Sequence, residues 1–209
     1  MSKKTREQQA EETRTRIYQT ALKLFEKKGF NNVSVDEIVL KSTSSKGAFY
    51  GHFSSKYDIF LEKFKEIDSF YEVFVKTLPS KLRFEDKVIA LFDAQMTFLK
   101  EKLGEDLMRS VYTSGLIKNE ANFFANTDRS LYKILNKFVD EAVEKGELPI
   151  STEINKTSLF ISRCMRGTLY DWLSFGDNSN LNDDAKTFVS IFLKGLLYNK
   201  ENGQFSDKK

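Results

Sequence analysis

Two short helical patterns separated by a polar break constrain this 209-residue chain more than any other feature. The first, Ser34-Val35-Asp36-Glu37-Ile38-Val39-Leu40, opens with a capping-box spacing of Ser34 and Glu37, and Val35, Ile38 and Val39 recur at helical intervals. After Ser42-Thr43-Ser44 the second pattern sets Phe49 and Phe53 four apart, on one face of a short helix. Its other side carries Ser45, Lys46, Ala48, Tyr50 and His52, a set of hydrogen-bond donors with no carboxylate nearby in sequence. A short helix, a turn and a second short helix form a helix-turn-helix unit. With phenylalanines as anchors and donors outward, the second helix suits a DNA major groove beside phosphates.

Two such helices cannot hold a core by themselves. The spacing of Ile17, Ala21, Leu24 and Phe25 predicts a supporting helix from roughly Thr13 to Lys28, stopped by Gly29, with Phe30 and Val33 closing a small core. Residues 1–12, with Lys3, Lys4 and Arg6, read as a mobile arm or a frayed extension of that helix.

From Ile17 to Phe30, over Ser34-Val35-Asp36-Glu37-Ile38, and from Ser45 to Phe53 with Lys56, the chain resembles the TetR family of bacterial transcription regulators. It departs from the family pattern in the turn, where Thr43 and Ser44 stand in place of a glycine and a small apolar residue. The resemblance implies an all-α fold. An N-terminal three-helix helix-turn-helix DNA-binding domain would occupy residues 1–56, and a larger helical effector-binding and dimerisation domain residues 57–209. It also implies DNA contacts at Ser34, Ser44, Ser45, Lys46, Gly47, Ala48, Tyr50, His52 and Lys56. Ser45 and Lys46 open the recognition helix, where backbone N–H groups favour phosphate. Gly47 and Ala48 permit close approach, Ala48 can touch a thymine methyl, and Lys56 resembles the family's phosphate-binding lysine.

Charge follows the same division. Residues 1–56 hold 11 Lys and Arg against 6 Asp and Glu, hence +5, whereas the remainder holds 22 against 24, hence −2. A basic head on a slightly acidic body fits a protein that sets one end on a polyanion. No window approaches a transmembrane span, the N-terminus does not read as a signal peptide, and the single Cys164 predicts a reduced, cytoplasmic setting. One histidine gives no metal cluster, so neither a metal nor a cofactor is expected.

Beyond Lys56, the apolar pattern Tyr57, Ile59, Phe60, Phe64, Ile67, Phe70, Tyr71 and Phe74 predicts one long helix to about Leu78, a rigid lever between head and body. Five further helices follow, at roughly 84–103, 105–115, 122–145, 153–175 and 183–198. Gly176 and a polar loop at 177–180 separate the last two, and a loose tail follows Asn199. The segments Arg166–Leu173 and Phe188–Leu196 resemble the last two helices of TetR-type proteins, which implies a homodimer paired through them. In the family a cavity among the middle helices takes a small effector. Here Phe70, Phe74, Met96, Tyr112, Tyr132, Arg163 and Tyr170 are the candidates to line it, and Arg163 or Arg166 could meet an acidic group or an interface. Other aromatics, among them Phe123, Phe124, Phe138 and Trp172, read mostly as core.

The expected function is thus a ligand-responsive regulator, a repressor, that binds a pseudo-palindromic operator as a dimer and is released by an apolar or aromatic effector. The alternative is an all-α enzyme or small-molecule carrier with an incidental basic head. Enzymatic chemistry would want a nucleophile with its base, a carboxylate pair in an apolar setting, or a metal set. The single His lies in the recognition helix and Cys164 has no histidine near it in sequence, so no catalytic residue is nominated.

Overall fold

Phe25, Phe30, Phe60 and Phe64 pack as tilted rings, one against the next, through one small core, with ring centroids 4.9, 5.6 and 5.9 Å apart, and the helices of the N-terminal region are arranged around them. The computed structural model describes residues 5–116, 126–175 and 180–202. Among these the chain is helical and carries no strand.

Four helices build the N-terminal part: α1 (Arg6–Lys28), α2 (Val35–Lys41), α3 (Lys46–His52) and α4 (Lys56–Phe64). α1 starts earlier than its apolar pattern predicts. Thr5 accepts from the Gln8 amide while the Gln8 side chain accepts from the Thr5 amide, a reciprocal cap that stabilises the polar first turns, so residues 6–12 are helix and not an arm. Lys3 and Lys4 lie outside the described residues. α1 ends at Gly29, whose φ of +78° suits glycine and whose Cβ, if present, would stand 2.6 Å from Asp106 Oδ2. α1 packs against α2, α3 and α4, and Ile17, Ala21, Val33, Ile38, Phe49, Ile59 and Phe60 are buried between them.

The expected continuous lever is interrupted. α4 ends at Phe64, Lys65 forms a turn whose N–H donates to Leu61 at 3.0 Å, and α5 (Glu66–Thr77) begins afresh. By compactness the chain divides into residues 1–66 with 103–114, and residues 67–102 with 115–209. The expected boundary after Lys56 therefore falls ten residues early: Ile59, Phe60 and Phe64 of α4 are core residues of the first unit.

In the second unit, α6 (Phe84–Phe98), α8 (Ser130–Glu144), α9 (Ile154–Phe175) and α10 (Leu181–Asn202) form a closed ring of neighbours, α6 on α8, α8 on α9, α9 on α10 and α10 on α6. Leu91, Phe92, Met96, Leu135, Val139, Ile161, Met165, Leu169, Val189 and Leu193 fill it. Polar ties fix the register. The nearly buried Lys87 pairs with Glu141 at 2.6 Å, the Arg129 guanidinium grips Asp68 at 3.0 and 3.2 Å, and Asp93 takes both Lys186 and Asn182. The segment predicted as one helix from 84 to 103 leaves α-geometry at Leu99, and a π-helical turn (Leu99–Leu103) leads to Gly104, φ +76°. α7 (Glu105–Leu116) follows.

α8 begins at Ser130, where Arg129 is extended and held by Asp68; the first residues of the helix expected from 122, 122–125, lie outside the described residues. Phe123, Phe124, Gly176, the loop at 177–179 and the tail from 203 lie outside the described residues. No helix among the described residues is long and apolar enough to cross a membrane.

Candidate nucleic-acid interface

How α3 is presented depends on the turn before it. α2 ends with Ser42 at φ −83°, then Thr43 at φ +49°. The Thr43 N–H donates to Leu40 at 3.2 Å and the Ser44 N–H to Val39 at 3.1 Å, the paired bonds that close a helix through a left-handed residue, most often glycine. Here a β-branched residue takes that conformation, and hydroxyls support it. Thr43 Oγ1 donates to the Ser42 carbonyl at 2.8 Å, and the buried Ser42 hydroxyl meets that of Ser44 at 2.8 Å. Arg16 Nε of α1 donates to the same Ser42 carbonyl at 2.8 Å, tying the turn to the supporting helix.

α3 is capped by Ser45, whose hydroxyl accepts from the Ala48 N–H at 3.0 Å. Phe49 and Phe53 are buried as the four-residue spacing requires, and the Arg14 guanidinium lies 5.1 Å from the Phe53 ring. Tyr50 stands edge-on to Phe49 and is 56% exposed. Lys46, Gly47 and Gly51 are exposed, and Ala48 and His52 are half-buried. A Cβ on Gly47 would meet only Ser45 Oγ, at 3.8 Å, and one on Gly51 would meet nothing within 4 Å. Packing within the chain therefore requires neither glycine, although each weakens a helix by roughly 1 kcal/mol relative to alanine.

Several expected contacts are placed differently. The recognition helix does have a carboxylate beside it: Asp36, in the first turn of α2, pairs with Lys46 at 2.7 Å, and that hydrogen bond together with the negative charge raises the Lys46 pKa. Ten residues separate the two in sequence, and only the angle between α2 and α3 brings them together. The Ser34 and Ser45 hydroxyls act as caps and that of Ser44 belongs to the turn. Lys56 does not project into solvent. Its ammonium donates to the Phe30 carbonyl at 2.8 Å and to the Val33 carbonyl at 2.7 Å, and burial lowers its pKa. Even so, Ser34, Tyr50 and Lys56 come together. They line one open hollow of about 410 Å³ with Asn31, Asn32, Val33, Val35, Ser54 and Ser55. Sequence reasoning missed Gly51, Asp36, Asn31 and Asn32. Only Gly51 left a signal, as a second glycine four residues from Gly47.

The effector candidates lie on several helices, and two of them face solvent. Phe70 stacks on Phe74 and on Phe98, with centroids 5.8 and 4.6 Å apart, and Met96 and Tyr132 are buried. Tyr112 sits on α7, in the first unit. Arg163 and Tyr170, seven residues apart and thus on one face of α9, are both exposed, with Arg163 lying over the Phe160 ring at 5.2 Å. They face outward and not into the helical core. Cys164 is buried, and burial raises its thiol pKa. Among the described residues no cluster of His, Cys, Asp and Glu could hold a metal ion.

Comparison with known proteins agrees with the site. The profile of the bacterial regulatory proteins of the tetR family matches residues 17–62, which span α2, the turn and α3. The HTH-type transcriptional regulator SrpR of Pseudomonas putida is 30% identical over 179 residues, covering 85% of this chain and 82% of that protein. AcrR of Shigella flexneri, also an HTH-type transcriptional regulator, is 25% identical over 209 residues, with 94% of each chain covered. The fold matches that of the TetR-family repressor FadR of Thermus thermophilus with a TM-score of 0.70 at 17% identity, over 94% of this chain and 97% of the other. With the helix-turn-helix geometry and near full-length similarity to such regulators, the chain is not an enzyme; it belongs to the TetR family of transcriptional regulators.

Proposed function

We propose that the protein is a ligand-responsive repressor that binds a pseudo-palindromic operator as a homodimer through the outer face of α3. The observation that carries this reading is the face itself. α3 is fastened by Phe49 and Phe53, while Lys46, Tyr50 and two exposed glycines, Gly47 and Gly51, face outward. A helix with bare backbone and donors can approach a groove closely enough for Tyr50, Lys46 and Ala48 to reach phosphates and base edges. Two such heads related by a two-fold axis fit half-sites about one helical turn apart, roughly 34–36 Å, or somewhat wider.

Exposed apolar side chains on α9 and α10 support dimerisation. Tyr170, Phe188 and Ile191 are 57%, 47% and 65% exposed, and the exposed Gly195 allows close helix approach. Leu169 and Leu173, within the segment expected at this interface, are instead buried within the chain. Sedimentation at micromolar concentration should report a dimer, and a monomer would remove this part of the proposal.

For the effector, the half-buried Phe70–Phe74–Phe98 stack is the best candidate contact. A flat or greasy compound replacing part of that stack would favour a second position of α5, and operator affinity would fall to the extent that DNA binding prefers the first. A tenfold loss of operator affinity needs a preference of only about 1.4 kcal/mol between the two states. DNA from upstream of the chain's own gene is the first test. Binding should weaken steeply with salt and be lost in Tyr50→Ala, whereas salt-independent binding, or none to any duplex, would reject the repressor reading.

A further inference from the structure

On the reading of α3 as the DNA-contacting helix, we propose that Lys56 is a positioning residue and not a phosphate ligand: its ammonium clamps the Phe30–Val33 turn, and the clamped turn holds Asn31, Asn32 and Ser34 against the sugar–phosphate backbone. An ammonium has three N–H donors, and two of them are committed, to Phe30 O at 2.8 Å and Val33 O at 2.7 Å. The Phe30 ring lies 4.5 Å away and closes a third side by cation–π attraction. What remains for an outside anion is at most one donor of a charge already shared by two carbonyls and a ring.

The turn needs the clamp. Its own closing bond, from the Val33 N–H to the Phe30 carbonyl, is long at 3.4 Å, so the shorter Lys56 bonds are the firmer tie between α1 and α2. The floor beneath is rigid, since Phe30 packs against both Phe25 and Phe60. From that floor the chain turns outward at Asn31 and Asn32, both exposed, and Asn32 is held by its own bond to the Lys28 carbonyl at 2.9 Å. It then reaches Ser34, the cap of α2, which lines the same hollow as Tyr50. Lys56 also starts α4, so the clamp ties the first residue of α4 to the loop that enters the helix-turn-helix. Both backbone acceptors would be left without their charged partner in a variant lacking the ammonium.

Salt dependence separates the two roles. Removing a phosphate-bound cation lowers the slope of log affinity against log salt by about 0.9, whereas loosening a loop weakens binding and leaves the slope nearly as it was. Lys56→Met keeps the stem over Phe30 and deletes the ammonium, and Lys56→Gln restores a neutral donor. Each is titrated by anisotropy across a salt series against a duplex selected from a random-sequence pool by the parent protein. Tyr50→Ala and Lys46→Ala are run alongside, and amide exchange is followed at 31–34, Ile38 and Phe49. The expected result for Lys56→Met is about tenfold or greater weakening, the loss of charge-assisted hydrogen bonds, with a slope change less than half that of a lost phosphate contact. Exchange should quicken at 31–34 while Ile38 and Phe49 stay protected, and Lys56→Gln should recover part of the affinity. A slope lowered by about 0.9 in both variants with exchange unchanged at 31–34 makes Lys56 a phosphate ligand and overturns the proposal. Parent-like binding by Lys56→Met overturns it too. If Tyr50→Ala and Lys46→Ala bind like the parent as well, the reading of α3 fails instead.

Discussion

Thr43 holds φ at +49°, where a Cβ crowds the following carbonyl. For an ordinary residue this conformation costs about 1–2 kcal/mol, and a β-branched side chain belongs toward the upper end. Thr43→Gly removes that strain. Against the gain stand the larger backbone entropy of glycine in the unfolded chain, about 0.5–1 kcal/mol, and the loss of the Thr43 Oγ1 bond to its neighbour's carbonyl, about 0.5 kcal/mol at an exposed turn. A net stabilisation of about 0.5 kcal/mol should remain. Thr43→Asn, which tolerates the left-handed region without the glycine entropy, should gain about as much. Thr43→Val keeps the branching and loses the hydroxyl, so it should destabilise by about 0.5–1 kcal/mol. Fluorescence of Trp172, the only tryptophan, reports on α9 and would miss these changes. The suitable assay is native-state amide exchange at Ile38 and Phe49, the buried residues on either side of the turn. If glycine destabilised the turn while valine left it unchanged, the strain argument would be wrong and the hydroxyl contacts would be what defines the turn.

Three further substitutions test neighbouring parts of the account. Asp36→Asn removes the carboxylate that occupies Lys46, so operator binding should tighten several-fold at low salt at a cost of a few tenths of a kcal/mol in the α2 first turn; weaker binding would mean that the pair positions Lys46. Gly51→Ala should stabilise the fold by about 0.5–1 kcal/mol, since a Cβ there meets nothing, and weaken the operator complex; greater stability with unchanged binding would place Gly51 off the contact face. In the body, a hydrogen bond from Lys87 holds the Glu141 carboxyl below its ordinary 4.5. Its contribution is therefore complete above pH 4.5 and fades as pH falls through the lower folded value. Glu141→Gln should abolish that acid-side dependence and cost about 2 kcal/mol at neutral pH, less than a fully buried pair because Glu141 keeps 29% exposure. An unchanged denaturation profile at neutral pH and at about pH 3 would show the pair to be neutral.

How far the sequence could be read depended on whether a signal was local. The Phe49–Phe53 spacing and the Ser34 and Ser45 caps are contained within single turns of helix, and they appear in the structure where the pattern places them. The early start of α1 was also locally encoded, in the Thr5–Gln8 capping pair. The outward face of Arg163 and Tyr170 was legible in their seven-residue spacing, although their chemistry suggested a pocket. The break at Lys65 was not legible: the apolar positions run through it without a shift of phase, and neither glycine nor proline marks it. Lys46 and Asp36 meet only through the packing of two helices, and the acceptors of Lys56 are backbone carbonyls, which side-chain patterns cannot announce.

The central claim is that the outer face of α3 enters the groove, and backbone amide shifts of the intact protein, titrated with its selected duplex, test it most directly. The largest changes should fall at Lys46, Gly47, Ala48 and Tyr50, followed by the 31–34 loop, with Val189 and Leu193 in the core of α10 little moved. Saturable binding that leaves Lys46 to Tyr50 unshifted while other surfaces respond would contradict it.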